Sequence, residues 1–220
     1  MVKNRTVVII NADNLTKTLL KKDLRLGNLK TFVRNILEPN DVLVRFENRE
    51  ELLFNPVVYV VSRMIKKDVR TKQIQFLNRL KKDNRNIIET SVVDPKIPYR
   101  GQWCSCTDSE IGSFIAIALY DKNVDKIIVV SGDGDFLMPL SRIGLAKKKV
   151  DMVSVEESFS EKLANFVETN EGRVIIIKER IPGLVCIKEK EPRRVKKLEP
   201  YLNRPDINRG INISRRKGCF

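Results

Sequence analysis

The sequence predicts an α/β fold in which helices cover a mostly parallel sheet. Residues 6–10, 57–61 and 126–130 form short runs that are apolar and β-branched almost throughout, which is typical of strands buried on both faces. Segments with helical character alternate with these runs along the 220 residues. Hydrophobic residues make up 42% of the chain, which is enough for a core on both faces of such a sheet.

The first half of the chain alternates strands with helices. The predicted elements there are strands at 6–10, 42–46, 57–61 and 87–93 and helices at 29–37 and 71–83. The polar residues 11–14 predict a turn after the first strand. The first helix ends before Pro39, because the residue before a proline avoids helical geometry. In the second helix Ile74, Leu77 and Leu80 form the predicted apolar stripe, and basic residues cover the outer face.

The second half continues the alternation after a loop at 94–106. Its predicted elements are strands at 126–130 and 150–155, helices at 108–119, 137–146 and 159–167, and a β-hairpin whose strands, 174–177 and 184–187, flank Pro182 and Gly183. Apolar periodicity ends near residue 188. We therefore expect a domain over 1–172, a β-hairpin extension over 173–190 and a basic tail over 191–220 that is disordered unless bound.

Composition excludes several kinds of chemistry and suggests a compartment. The chain has no histidine, so Ser-His-Asp hydrolysis, Cys-His proteolysis and zinc sites that contain histidine are excluded. Four cysteines are too few for a disulfide scaffold, so we expect an intracellular, cytoplasmic protein. The first buried strand starts at residue 6, so we expect no signal peptide, and no apolar run approaches the ~20 residues of a membrane helix. The sequence leaves a homo-oligomer possible but does not predict one.

The net charge of +14 is concentrated in two basic blocks. Residues 62–85 and residues 188–220 each carry a balance of +7, and the remainder of the chain is neutral. Two such blocks on a neutral body favour a polyanionic partner, and nucleic acid is the common one. The candidate contacts are Arg63, Lys66, Lys67, Arg70, Lys72, Arg79, Lys81, Lys82, Arg193, Arg194, Lys196, Lys197, Arg215, Arg216 and Lys217.

Acidic residues follow the predicted strands. Asp13 comes after the first strand, Asp133 and Asp135 come after the strand at 126–130, and Asp108 begins a helix. Because parallel strands deliver their carboxyl ends to the same edge of a sheet, we expect these four carboxylates to converge. Crowded carboxylates without histidine or cysteine select Mg²⁺ or Mn²⁺, and metal ions held in this way serve phosphodiester hydrolysis. The alternative is that these residues are ordinary helix caps and turn formers.

Three segments resemble a known family. They are TVVIINADNL at 6–15, DSEIGSFIAIAL at 108–119 and IIVVSGDGDFLMPL at 127–140, and together they are similar to the NYN domain of the PIN-like nuclease superfamily. The resemblance covers residues 5–168 and implies a Rossmann-like three-layer sandwich with an acidic Mg²⁺ or Mn²⁺ site that acts on RNA. It implies metal-site roles for Asp108, Asp133 and Asp135, and supporting polar roles for Asn14 and Ser131.

The chain departs from the family pattern at two positions. The first motif of the family has an Asp where this chain has Asn11, so Asn11 is expected to offer the metal only a neutral oxygen, and Asp13 is a candidate to compensate. Phe114 stands where many relatives carry a further acid. These departures predict a ribonuclease with weakened or lost activity. The alternative is a non-catalytic RNA-binding component of a ribonucleoprotein, such as a ribosome-associated protein.

Overall fold

A computed structural model describes residues 3–47, 53–84, 86–94, 106–142 and 147–187. Some predictions lie outside these residues. They are the basic tail at 191–220 with its seven candidate contacts, the last three residues of the expected hairpin extension, most of the loop at 94–106, and the end of the helix expected at 137–146.

The fold is built on a seven-stranded sheet whose strand pairs are all parallel, which confirms the predicted α/β class. Its strands are β1 (Asn4–Asn11), β3 (Asp41–Leu43), β6 (Val57–Ser62), β7 (Ile88–Val93), β8 (Lys126–Val130), β9 (Lys149–Val155) and β10 (Val174–Ile177). They lie in the order β10-β9-β8-β1-β6-β7, and β3 pairs with the first residues of β1. The first predicted strand is therefore central and pairs with β8, and burial on both faces is typical of central parallel strands.

Helices cover both faces of this sheet. They are α1 (Ala12–Lys21), α2 (Leu29–Ile36), α3 (Lys67–Asp83), α4 (Thr107–Tyr120), α5 (Leu137–Leu140) and α6 (Glu161–Thr169). One core cluster joins α1, α2 and α3 to one face, and a second joins α4, α5 and α6 to the other. The three-layer sandwich is thus present, and loops at the carboxyl ends of the strands are free to build a site.

Among the described residues, four short strands lie outside the main sheet: β2 (Leu24–Leu26), β4 (Phe46–Glu47), β5 (Leu53–Phe54) and β11 (Leu184–Cys186). β4 pairs with β5, and β11 pairs antiparallel with β2. The predicted hairpin is therefore wrong. Its first strand, β10, extends the main sheet beside β9, while its second pairs with a strand near the other end of the chain. The Pro182-Gly183 turn separates the two strands but does not pair them.

Two local predictions also need correction. The residues after β1 do not form a turn: α1 begins at Ala12, directly after the last residue of the strand. The apolar face of α3 is centred on Leu77 and Leu80, with Phe76 packed beside them. Ile74, predicted to share that face, is 48% exposed, because its position in the helix turns it toward solvent.

A candidate metal centre at the carboxyl edge of the sheet

Three of the four predicted carboxylates come together at the edge formed by the carboxyl ends of the parallel strands, the carboxyl edge. Oxygens of Asp108, Asp133 and Asp135 all lie within 4.8 Å of one another. Two of these residues follow β8, and the third lies in the first turn of α4, which packs against β1. Adjacent parallel strands therefore bring the group together, as the sequence predicts.

The loop after β8 holds its two carboxylates by local hydrogen bonds. The Asp135 N–H donates to Oδ1 of Asp133 over 3.1 Å, and the Asp133 N–H donates to Oγ of the buried Ser131 over 3.3 Å. A methyl group added at Gly132 would lie 1.9 Å from the carbonyl oxygen of Ser158. Glycine is required there because the loop passes directly over the turn that follows β9.

Asn11 lies at the end of β1 and is 3% exposed. Its Oδ1 accepts the N–H of Asn14 over 3.0 Å and caps α1, and its Nδ2 donates to Oδ1 of Asp108 over 3.4 Å. The amide thus uses its oxygen for the helix cap and turns its NH₂ toward the carboxylate group. The cap also explains why the polar segment after β1 is helical rather than a turn.

Asp13 lies beside this group but does not belong to it. Its carboxylate accepts the backbone N–H of Ser62 over 3.0 Å and also the Ser62 hydroxyl. These bonds tie the first turn of α1 to the end of β6. Asp13 still acts on the site through its charge, as the pKa of Asp108 shows.

The electrostatics of the group favour a bound cation. Burial raises the pKa of Asp108 above its ordinary value, and the negative charges of Asp133, Asp135 and Asp13 raise it further, while the hydrogen bond from Asn11 opposes them. Across the ranges that the structure describes, no lysine or arginine forms an ion pair with the three clustered carboxylates. A divalent cation would relieve this repulsion directly.

A second acidic cluster, which the sequence did not reveal, has a different character. Glu38, Asp41 and Asp151 also bring carboxylate oxygens within 4.8 Å of one another. Nζ of Lys126 lies among them, 2.6 Å from Glu38, 3.1 Å from Asp41 and 2.8 Å from Asp151. Arg173 adds a second cation, 2.6 Å from Asp151. Protein cations already occupy the place of a metal, so this cluster is a buried ion-pair network.

A lysine at the start of an otherwise apolar strand is the sequence signal that could have revealed this network. Lys126 is 1% exposed, and a buried ammonium needs acidic partners. Nothing in the local pattern identifies those partners.

The candidate nucleic-acid contacts that fall within the described residues gather on and before α3. Lys66 and all the basic residues of that helix are exposed. Arg63 differs, since it is ion-paired with Asp94 at 2.8 Å. The helix therefore presents a basic outer face to solvent.

Phe114, the second departure from the pattern that the family resemblance implies, belongs to the core. It is 6% exposed, and its ring packs edge-on against Phe46 and Phe54 at centroid distances of 6.4 and 5.4 Å. An aromatic cluster thus occupies the side of α4 from which a further carboxylate would extend.

Fold and acidic cluster together define a class: an α/β protein whose carboxyl edge gathers three carboxylates that could hold a hard divalent cation. Compared with known protein families, the chain matches the NYN domain over residues 5–170. It belongs to the NYN domain family, a branch of the PIN-like nuclease superfamily. No curated protein and no solved structure matches the chain. No helix within the described residues combines the length and the apolar character needed to cross a membrane.

Proposed function

We propose that this NYN-family protein binds RNA and holds Mg²⁺ or Mn²⁺ at the carboxyl edge, with ribonuclease activity that is weak or lost. The observation that carries the proposal is the group of three carboxylates within 4.8 Å. Its members lie at positions where the family resemblance implies acidic residues. The basic face of α3 provides the surface for RNA.

The residues present fit a hard divalent cation. Asp108, Asp133 and Asp135 offer oxygen donors only, and their mutual repulsion is the cost that a divalent ion would remove. The fourth proposed ligand, Asn11, commits its oxygen to the cap of α1, so its hydrogen bond to Asp108 becomes its main contribution. A bound ion would polarise the scissile phosphate and help generate a nucleophile.

The protein's own groups position the site. Ser131 and the Asp135 N–H hold the loop that carries Asp133. Asn14 donates its backbone N–H to Asn11 and so fixes the amide that faces Asp108. Asp13, which the sequence makes a candidate catalytic residue, acts instead through its bond to Ser62 and through its charge on Asp108.

The alternative is a non-catalytic RNA-binding component of a ribonucleoprotein. The neutral Asn11 favours it, because the site has one negative charge fewer than the family pattern. The aromatic packing of Phe114 favours it too, since no further acid is available at that position. The two candidates share RNA binding and differ in chemistry alone.

Cleavage of single-stranded and structured RNA in Mg²⁺ and in Mn²⁺, with EDTA as control, separates the two. We expect RNA binding with little EDTA-sensitive cleavage. Robust cleavage that EDTA abolishes and that Asp133→Asn removes would establish a fully active enzyme. Absence of RNA binding by the unmodified chain would refute both candidates.

A further inference from the structure

A groove of about 640 Å³ lies between the second half of α3 and the β2–β11 pair, on the α1–α3 side of the sheet. Its apolar lining includes Phe76, Leu80 and Val185. Three cations, Arg25, Lys30 and Arg79, also line it. None of these side chains belongs to the candidate metal centre.

The cations of this groove are available to a ligand. Within the residues that the structure describes, the side chains of Arg25, Lys30 and Arg79 form no hydrogen bond or ion pair. Asp83 is the acid in the lining, so the groove carries a net charge of +2. Gathering three like charges around a concave surface costs free energy unless an anion neutralises them.

Helix α3 connects this groove to the carboxyl edge. It begins five residues after Ser62, which holds Asp13 beside the metal-site carboxylates, and it ends beside the groove. Lys72 and Arg79 are seven residues apart and therefore lie on nearly the same face of the helix. From the cap of α3 at Lys66 to Arg79 the helix rises about 20 Å, a span that roughly six stacked nucleotides cover.

The chemistry of the lining selects a single-stranded polyanion with flat apolar groups. Phosphates can pair with the cations of the rim, and a base can lie on the half-buried Phe76, whose ring also packs against Tyr59. Residues 188–220 of this chain carry +7 and have the wrong sign for a basic groove. From these observations, and on the basis of the proposed function, we infer that the groove is a distal binding site for single-stranded RNA that extends from the carboxyl edge along α3.

The test compares two triple variants of the full chain. The first, Arg25→Gln, Lys30→Gln and Arg79→Gln, removes the cations of the groove. The matched control, Lys122→Gln, Lys147→Gln and Lys162→Gln, removes three exposed charges on the side that α4 and α6 cover. Affinity for a fluorescent 20-nucleotide oligouridylate is measured by anisotropy in EDTA over a range of salt. A 4-thiouridine version of the same RNA is crosslinked to the unmodified chain.

We expect the groove variant to lose affinity ten-fold or more relative to the control. Its slope of log affinity against log salt should fall by about 2, because each lost phosphate contact on a single strand is worth about 0.7. Crosslinks should fall within residues 25–30 or 76–84.

Equal losses in the two variants, or crosslinks confined to other segments, would overturn the inference while leaving RNA binding intact. An unmodified chain that binds no RNA would overturn the proposed function as well. A groove variant that keeps full RNA affinity but loses affinity for an acidic peptide would point to a protein partner instead.

Discussion

Asn11 donates a hydrogen bond from Nδ2 to Oδ1 of Asp108 across 3.4 Å, at the position where the family resemblance implies an acid. A carboxylate in that position would repel Asp108, whereas the neutral amide donates a hydrogen bond to it. This bond favours the ionised form of Asp108, since it opposes the rise in the pKa of that residue. The neutral amide would also attract a cation less strongly than a carboxylate would.

Restoring the acid should therefore strengthen metal binding. Asn11→Asp adds one negative charge beside Asp108, and a charge pair at 4 Å is worth about 4 kcal/mol at an effective dielectric of 20. If solvation offsets two thirds of that free energy, about 1.4 kcal/mol remains, which corresponds to a ten-fold rise in Mn²⁺ affinity. A calorimetric titration measures this affinity. Asn11→Ser is the matched control, because serine can still cap α1 but adds no charge. Equal affinities in both variants would contradict the prediction.

Asp133→Asn should remove metal binding and any residual cleavage while leaving RNA affinity within about two-fold. The amide is isosteric and can still accept the Asp135 N–H, so the loop keeps its shape. The proposed RNA contacts are basic residues elsewhere, on and before α3. Mn²⁺ titration and RNA anisotropy give the two readouts, and Glu168→Gln, an exposed charge change on α6, is the control. Unchanged metal binding would refute the site assignment.

RNA binding should weaken steeply with salt. If six to ten phosphates are contacted, affinity falls by roughly 10³–10⁵ between 50 and 200 mM salt. Removing residues 188–220 takes away eleven Lys/Arg and should reduce the slope. Anisotropy at several salt concentrations measures both slopes. An unchanged slope after truncation would show that the C-terminal block makes no phosphate contacts.

The strands of the central sheet could be predicted because each is marked by a short apolar run in the local sequence. Continuous apolar runs identified β1, β6 and β8 as strands buried on both faces, and in the structure all three lie inside the sheet with β1 paired to the other two. The error over β10 and β11 has a physical reason. β2, the strand that pairs with β11, spans three residues, which is too few for a periodic pattern. The sequence therefore did not reveal it.

For the acidic cluster too, the sequence predicted the convergence of the carboxylates but not their side-chain partners. Asp108, Asp133 and Asp135 converge because parallel strands end at one edge, which topology alone dictates. The bond between Asp13 and Ser62 joins residues 49 apart, and the bond between Lys126 and Asp41 joins residues 85 apart. Such partnerships depend on side-chain geometry in the folded chain, and no local spacing encodes them.

Lys126→Met should destabilise the fold by about 3–5 kcal/mol. The substitution removes the ammonium from between Asp41 and Asp151, and the uncompensated buried charge dominates the cost. Urea unfolding measures the loss. Arg5→Met, which breaks the exposed pair with Asp125, is the control and should cost far less, because solvent screens exposed ion pairs. A similar small cost for both variants would show that Arg173 alone neutralises the network.

The stabilising contribution of the same network should be lost at both low and high pH. Burial favours a raised pKa for Asp41, but the Glu38 N–H and the Lys126 ammonium overcome it and hold that pKa below its ordinary value. Its contribution is therefore present above the unfolded pKa of about 3.9 and is lost as pH falls through the folded pKa. Burial would lower the pKa of Lys126, but hydrogen bonds to Asp151 and Glu38 overcome this effect and raise it. The stabilisation from Lys126 is therefore complete below the unfolded pKa of about 10.4 and is lost as pH rises through the folded pKa. The difference in unfolding free energy between the unmodified chain and Lys126→Met should thus be largest between about pH 4 and pH 10 and shrink on both sides. Urea unfolding of both proteins from pH 3 to pH 11 measures it, and a difference that stays constant across that range would show that the network does not titrate with folding.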